Sequence, residues 1–383
     1  MANTLTNLIP DLYEALDIVS REQVGFIPAV STDSMAERAA VNETVRVPIA
    51  PAASATDITP AVTPPDDGNQ TIGNNTITLT KSRRVPFRWN GEETRGINNG
   101  PGFANLRVNQ IAQAIRTLTN EMEADLAGLH STASRAYGTA GTTPFGSNLG
   151  ELAQVRKILV DNGAPLSDVS CVFDTTAGAS LRSLAQFTNV NNAGSDDPLR
   201  RGILLSTHGM NLRESGQIIT STAGTGASAT TDTTGYAVGT TTITLASAGT
   251  GTILAGDVIT FAGDTEKYVV TSGDADVSNG GTITIQAPGL RQAIPASATA
   301  ITVIAAAARN MAFSRSALVL ATRAPALPDG GDMAVDRQII TDPISGISFE
   351  IAMYAQYRQM QYEISATWGV ANIKPEHTAL LLG

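Results

Sequence analysis

The residue types that most often do chemistry are few in this chain and far apart. The histidines, His130, His208 and His377, are in no metal-ligand spacing such as His-x-x-x-His. Cys171, the only cysteine, lies in the apolar run Val169–Phe173, which predicts a buried thiol and excludes an intrachain disulfide. No Gly-Lys pair of a phosphate-binding loop and no Gly-x-Ser-x-Gly elbow occurs. We therefore expect no catalytic residue, metal or cofactor.

One acidic cluster could hold a cation. Asp329 and Asp332 flank two glycines, and Asp336 follows shortly after, so carboxylate oxygens could coordinate calcium. The two glycines between them are also typical of a tight turn between strands. The turn is the favoured interpretation.

One basic cluster could bind nucleic acid. The segment Lys81–Trp89 carries Arg83, Arg84 and Arg88 beside two aromatic residues, on which bases could stack. Arginine also forms forked contacts with carboxylates. In an acidic chain, arginine–carboxylate contacts with a neighbouring subunit are favoured over nucleic acid.

Composition narrows the classes of protein without choosing one. A hydrophobic fraction of 42% excludes wholesale disorder. Only 16% of the residues are charged, which suits a surface covered by other copies, or a secreted β-rich protein. The net charge of −10 disfavours tight nucleic-acid binding over a broad face.

The chain shows no targeting pattern. Met1–Thr4 has no basic region followed by an apolar core, so we expect no signal peptide. The longest apolar stretch, Ala300–Ala308, is too short to cross a bilayer. The sequence therefore predicts a protein made in a reducing cytoplasm, with no membrane partner.

Residues 1–40 are predicted to be an arm with one helix. Pro10 suits a first helical position, and Asp11, Glu14 and Asp17 lie beside a narrow apolar stripe. A short amphipathic helix cannot bury its stripe alone, so it must dock on its own body or on a neighbour.

Residues 41–90 are predicted to form a projecting hairpin. Alternation at Val45–Ile49 indicates one strand, Thr63–Gly68 is a strong turn signal, and Thr76–Thr80 is a second strand that leads into Lys81–Trp89. Such a hairpin has little core of its own. The charged residues of this segment that could contact another subunit are Asp66, Asp67, Lys81, Arg83, Arg84 and Arg88.

Residues 91–216 combine helices with a buried strand. The clearest helical stripe of the chain lies within 103–132, with apolar residues three and four apart. Further on, a helix over 149–159, a strand at 169–173 and a helix over 177–187 indicate an α/β unit.

Residues 217–304 change character, and the mixed pattern returns afterwards. Short strands between glycine and aspartate turns predict a small all-β barrel or sandwich inserted into the chain. Its predicted strands are Thr240–Leu245, Val258–Phe261, Lys267–Thr271, Thr282–Gln286 and Ala300–Ile304. Longer strands follow at 316–321, 348–355 and 362–370, and the apolar 379–382 closes the sheet.

This order of parts, in an α+β chain, resembles the major capsid fold of tailed double-stranded-DNA bacteriophages. More specifically, it is similar to the podovirus branch with a β-barrel insertion. The segments Phe313–Pro325 and Ile347–Val370 carry the closest match, and Ala2–Thr6 and the region of Asp174 share the family's pattern. The resemblance in sequence is concentrated outside residues 217–304.

The resemblance implies a division of the chain. It makes 1–40 the N-terminal arm, 41–90 the extended loop, 91–147 a peripheral domain with a long spine helix, 148–216 an apical α/β domain and 217–304 the inserted barrel. Residues 305–383 return to the apical and peripheral strands.

It also implies a function. Hexamers and pentamers of the chain would close an icosahedral procapsid with a scaffolding protein and a portal protein in the host cytoplasm. The shell would then expand into the virion capsid around double-stranded DNA, without sequence-specific binding. Asp11, Glu14 and Asp17 become candidate scaffold or subunit contacts. The insertion would support stability or contacts between capsomers.

Two other classes remain open. Strands rich in Thr, Gly and Ala suggest a secreted adhesin or surface-layer protein, although the missing signal peptide and the long helix argue against it. A polysaccharide hydrolase acting through paired carboxylates is a third class.

Overall fold

The computed structural model describes residues 25–49, 55–63, 68–97, 102–189, 201–342 and 345–383, apart from positions 203 and 205. The predicted arm helix with Asp11, Glu14 and Asp17 lies outside these ranges, as do Asp66 and Asp67 of the predicted hairpin.

The described residues form a mixed α/β architecture dominated by strands. The α-helices are α1 (Gly91–Ile97), α2 (Gly102–Gly128), α3 (Gly150–Asp161), α4 (Thr175–Ser183) and α5 (Ala185–Thr188). The first nine strands are β1 (Ser31–Ala39), β2 (Thr44–Ile49), β3 (Gly73–Thr78), β4 (Lys81–Asn90), β5 (Arg135–Gly138), β6 (Val169–Phe173), β7 (Met210–Glu214), β8 (Thr242–Leu245) and β9 (Val258–Phe261). The others are β10 (Lys267–Ser272), β11 (Gly281–Ile285), β12 (Ile301–Val303), β13 (Arg309–Ser314), β14 (Leu318–Pro325), β15 (Ala334–Thr341), β16 (Ser348–Gln356), β17 (Gln359–Asn372) and β18 (Thr378–Leu382). Short 3-10 turns cover Ile27–Ala29, Leu129–Thr132, Val277–Asn279 and Pro375–His377.

A six-stranded sheet forms the platform for the long helix. Its order is β1-β14-β17-β16-β15, and β4 pairs with β17 along the other edge of that strand. The apolar stripe of α2 packs on this sheet, where Leu118, Met122 and Leu126 lie in one core with Ile364 and Trp368. The helix predicted within 103–132 is thus present. Its single long apolar stripe needs one continuous apolar surface to cover it, and the sheet provides that surface.

A larger sheet runs from the α/β unit into the insertion. Its order is β12-β9-β10-β5-β18-β13-β6-β7, and β8 and β11 attach through β10. Helices α3 and α4 cover part of it, and Leu152, Leu159 and Leu181 join a second core with Cys171 and Phe173. The predicted helix–strand–helix order is thus present.

The insertion is a small closed barrel with its own core. The strand order β12-β9-β10-β11-β8 becomes a ring because Thr230 and Thr231 form bridges to Ala300 and Leu245 respectively. The barrel does not stand apart from the body, since β10 also pairs with β5. The predicted strands agree with the observed ones to within about two residues.

The hairpin consists of β2 and β3, which pair from Thr44 and Thr78 to Ile49 and Gly73. The prediction was wrong to place Lys81–Trp89 with the hairpin. That segment is β4, and it pairs with β17 over its whole length because its alternate apolar side chains face the core under α2.

The predicted arm also ends earlier than residue 40. β1 pairs in parallel with β14, beginning with Ser31 opposite Val319. Its polar sequence gives no local strand signal, and the apolar β14 provides the edge that it joins.

Candidate functional site

The buried His130 and Cys171 are held in forms that disfavour catalysis. Burial, with a smaller effect from the charge of Arg309, lowers the pKa of His130 to about 4. Burial raises the pKa of the Cys171 thiol to about 12. At neutral pH the histidine is thus a poor proton acceptor and the cysteine is no thiolate. In the described ranges, no group of three or more His, Cys, Asp and Glu side chains could hold a metal, and no helix is long and apolar enough to span a bilayer.

The candidate calcium cluster is a turn held by an arginine. The carboxylate of Asp332 accepts hydrogen bonds from the Arg337 guanidinium and, at 2.9 Å, from the Tyr354 hydroxyl. The Arg337 bond is the main reason that the pKa of Asp332 falls to about 2. Gly331 N donates to the Pro328 carbonyl at 3.0 Å, which closes the turn before β15. The Asp332 carboxylate, which calcium would need, is therefore engaged by protein donors.

The aromatic side chains of β4 face the protein, which argues against base stacking. The Phe87 ring stacks on Tyr362 with centroids 5.3 Å apart. The Trp89 indole N–H donates to Gln110 of α2 at 2.8 Å. Both residues are only partly exposed, so neither ring offers a free face of the kind on which single-stranded nucleic acid stacks.

The basic side chains of β4 find carboxylates within the chain. Lys81 and Arg83 reach α2, where they contact Asp125 at 2.7 Å and Glu121 at 3.7 Å. These contacts tie the strand to the helix.

The opposite face of β4 carries the remaining cations. The Arg84 guanidinium lies 2.6 Å from Glu363 of β17, and this hydrogen bond raises its pKa. Arg88 is exposed on the same face. The expected arginine–carboxylate pairing is therefore intramolecular for Arg83 and Arg84, and contact of the six candidate residues with another subunit stays a prediction.

The hairpin is the least covered part of the described chain. Its base is fixed, because Ile77 and Leu79 pack with Val319 in a small core on the sheet. Beyond the paired strands, every described residue of 55–63 and 68–72 is exposed. Ile58 is 98% exposed, and Val62 is fully exposed.

The exposed apolar side chains of the hairpin tip would contribute free energy to association if another molecule covered them. Ile72, at the start of the return strand, is 67% exposed and adds to Ile58 and Val62. Covering one such side chain contributes about 1.5–3 kcal/mol, so the three together offer roughly 5–9 kcal/mol before the costs of association. We call these three residues the hairpin-tip patch.

Sequence reasoning missed a charged network on the face of the six-stranded sheet that points away from α2. Glu350 of β16 is buried, contacts Arg38 of β1 and lies 3.0 Å from the Nε of Arg337. The network joins β1, β15 and β16. A lone glutamate inside the apolar run of β16 was the available signal, since a buried carboxylate needs cationic partners.

A second missed cluster lies where the barrel meets the body. Arg135 of β5 is 1% exposed, and its guanidinium lies 2.7 Å from Glu266 and 3.6 Å from Asp161. Lys157 is 3.0 Å from the same Asp161 and 3.7 Å from the same Glu266. A carboxylate from the insertion thus neutralises a buried cation of the body.

No family model matches the chain, and no curated protein matches it. Solved structures do. A capsid structure of the cyanophage P-SCSP1u is 12% identical and has a TM-score of 0.48, with 94% of this chain and 88% of that chain covered. The mature capsid of bacteriophage PhiM1 is 10% identical with a TM-score of 0.46, covering 94% and 86%. A virus-like particle from Pyrococcus furiosus is 8% identical with a TM-score of 0.46, covering 97% and 98%.

The predicted α+β fold class is confirmed by the mixture of helices and strands in the described residues.

Proposed function

We propose that this chain is a major capsid protein, which assembles from copies of itself into the shell of a tailed-phage head. The observation that carries the proposal is the hairpin-tip patch, Ile58, Val62 and Ile72. These side chains lie on an extension with no core of its own, where leaving them in water is unfavourable. A neighbouring copy that covers them would convert this exposed apolar surface into assembly energy.

Closed symmetry makes a weak contact of this kind sufficient. In a shell of hexamers and pentamers each subunit repeats the same contacts, so the modest energy of one patch is multiplied over the particle. A scaffolding protein and a portal protein would assist a procapsid that later expands. The acidic residues Asp11, Glu14 and Asp17 are the proposed scaffold contacts, because a basic partner segment would complement them.

The packaged double-stranded DNA would be enclosed without specific binding. The chain has a net charge of −10, and Lys81, Arg83 and Arg84 are paired with carboxylates of the same chain. With these cations already paired, the chain would bind phosphate only weakly. Weak binding suits a shell from which the DNA must later leave.

The contacts in the structure do not support the two competing classes, a secreted adhesin and a glycan hydrolase. The barrel that suggested an adhesin shares sheet pairing with the body through β10 and β5, so it is not built as a separable binding module. For a glycan hydrolase, Asp332 and Glu350 would be a candidate pair, but both contact Arg337. This arrangement leaves neither of these two carboxylates free to act on a sugar.

The test is electron microscopy of the purified full chain, expressed alone and with its scaffolding protein. We expect closed shells with scaffold, and sheets or spirals without it. The triple variant Ile58→Ser, Val62→Ser, Ile72→Ser should remain monomeric with unchanged far-ultraviolet circular dichroism. Val238→Ser removes a 61% exposed apolar side chain from the barrel and should still assemble. A wild-type chain that stays monomeric in every condition would refute the proposal.

A further inference from the structure

A buried carboxylate of α2 binds the first described residues of the chain. Glu123 is 7% exposed. Its Oε2 accepts a hydrogen bond from the Phe26 N–H at 2.9 Å, and its Oε1 accepts one from the Ile27 N–H at 2.8 Å. These two donors lie at the start of the 3-10 turn Ile27–Ala29, where the first backbone N–H groups have no partner within the turn. Glu123 therefore caps this turn from a helix almost 100 positions away in sequence.

The fit around this carboxylate is close. A Cβ added at Gly25 would lie 2.5 Å from Oε2, so a side chain at this position would displace the carboxylate. Ser215 donates to the same oxygen at 3.2 Å. Phe26 is fully buried and stacks on Phe313 with ring centroids 6.0 Å apart. Glycine at 25, the carboxylate and the aromatic pair together define one position for the backbone.

The charge of Glu123 makes this contact depend on its donors. Burial raises the pKa of this carboxyl, whereas the Ile27 and Phe26 N–H groups, the Ser215 hydroxyl and the charge of Arg213 act to lower it. A buried carboxylate without donors is costly, so separation of residues 25–27 from α2 would leave Glu123 poorly solvated. The helix and the segment thus hold each other.

We propose that Glu123 is a positioning residue, which fixes the place and direction in which the residues before Gly25 leave the body. The acidic side chains Asp11, Glu14 and Asp17 belong to that preceding segment. Glu123 would thus give the segment that carries them the same starting point in every copy. This last step rests on the proposed capsid function, whereas the contact itself does not.

Hydrogen exchange of the full chain tests the contact directly. Glu123→Gln keeps the size of the side chain but replaces one acceptor oxygen with an N–H₂ donor that faces another donor. We expect the Phe26 and Ile27 amides to exchange about 10- to 100-fold faster, while the Leu380 and Leu381 amides of β18 stay unchanged. Unchanged exchange at 26 and 27, or an equal rise at all four amides, would overturn the proposal.

The matched control is Glu121→Gln, the same substitution two residues earlier on α2. Glu121 contacts Arg83 rather than residues 25–27, so its substitution should leave the Phe26 and Ile27 amides protected. Gly25→Ala should release these amides as Glu123→Gln does. In a Glu123→Ala background, Gly25→Ala should add less than it does in the wild type, because the clash with the Glu123 carboxylate is gone and only the contact with the Ser215 Cβ at 3.0 Å remains. Full additivity would contradict the proposed contact.

Electron microscopy supplies the assembly readout. If the wild-type chain forms shells, Glu123→Gln should form irregular ones and Glu121→Gln regular ones. Regular Glu123→Gln shells would overturn the positioning role. If the wild-type chain forms no shells, the capsid function fails, and the exchange experiment still decides whether Glu123 anchors the segment.

Discussion

Removal of the Glu266 carboxylate, which belongs to the barrel, should destabilise the body. The reason is Arg135, whose guanidinium is 1% exposed and lies 2.7 Å from Glu266. β5 pairs with β18 of the body on one side and with β10 of the barrel on the other. Glu266→Ala leaves this buried cation with Asp161 at 3.6 Å and the Asn162 side-chain oxygen at 3.1 Å.

The expected magnitude follows from those remaining partners. Removing one member of a buried ion pair costs about 3–5 kcal/mol when the charge of the other member is left uncompensated. A hydrogen bond to a charged group contributes about 1.5–3 kcal/mol. Because Asp161 and Asn162 still face Arg135, the cation is not left uncompensated, and Glu266→Ala should cost about 1.5–3 kcal/mol of unfolding free energy, the range for a lost hydrogen bond to a charged group.

The assay is urea unfolding of the unassembled chain, followed by tryptophan fluorescence, because Trp368 is buried in the body core. The matched control is Lys157→Ala, which removes a half-exposed member of the same cluster and should cost less than about 1 kcal/mol. Equal losses for the two variants, or a Glu266→Ala loss below about 0.5 kcal/mol, would show that the buried arginine does not depend on the insertion.

Three further predictions concern single side chains. The pKa of Asp332 is lowered, so its ionised carboxylate contributes to stability above about pH 4, and this contribution is lost as the pH falls towards 2. Asp332→Asn should therefore show a smaller fall in the urea midpoint between pH 5 and pH 3 than the wild type shows. The Cys171 thiol, with its pKa raised to about 12, should react with iodoacetamide at pH 8 only in denaturant, and labelling of the native chain at the unfolded rate would contradict this. Leu126→Ala should cost about 2–5 kcal/mol in urea unfolding, whereas Val160→Ala on the exposed side of α3 should change little; similar losses would refute burial as the cause.

The elements that the sequence predicts well are those with a strong local period. The apolar stripe within 103–132 gives α2 and the 3-10 turn after it, because one helical face must match one sheet surface. The barrel strands are found from alternation between glycine turns, and each agrees closely with an observed strand. In both cases the signal lies inside the element.

The elements that the sequence misplaces are those whose partner is distant. β4 alternates as a hairpin strand would, yet its partner β17 lies about 280 residues later. β1 has a polar sequence and becomes a strand because β14 offers a parallel edge. The same limit applies to the candidate contacts: Arg84 predicts a carboxylate partner, but only the folded sheet shows that it is Glu363. The local sequence pattern predicts the type of interaction, whereas the topology of the sheet determines which residue is the partner.

The charged side chains of β4 and the apolar hairpin-tip patch suit different roles in the proposed assembly. The cations of β4 that have a described partner are paired within the subunit, so they fix the subunit's own shape, as in Lys81 with Asp125 and Arg84 with Glu363. The hairpin-tip patch has no such partner among the described residues, and it carries apolar rather than charged side chains. Apolar contacts impose weak orientation and tolerate small shifts, because they depend on area covered rather than on fixed donor–acceptor geometry. In the proposed capsid function, a shell that closes first and rearranges later would need rigid subunits joined by adjustable contacts, and this distribution of charge and apolar surface would suit both.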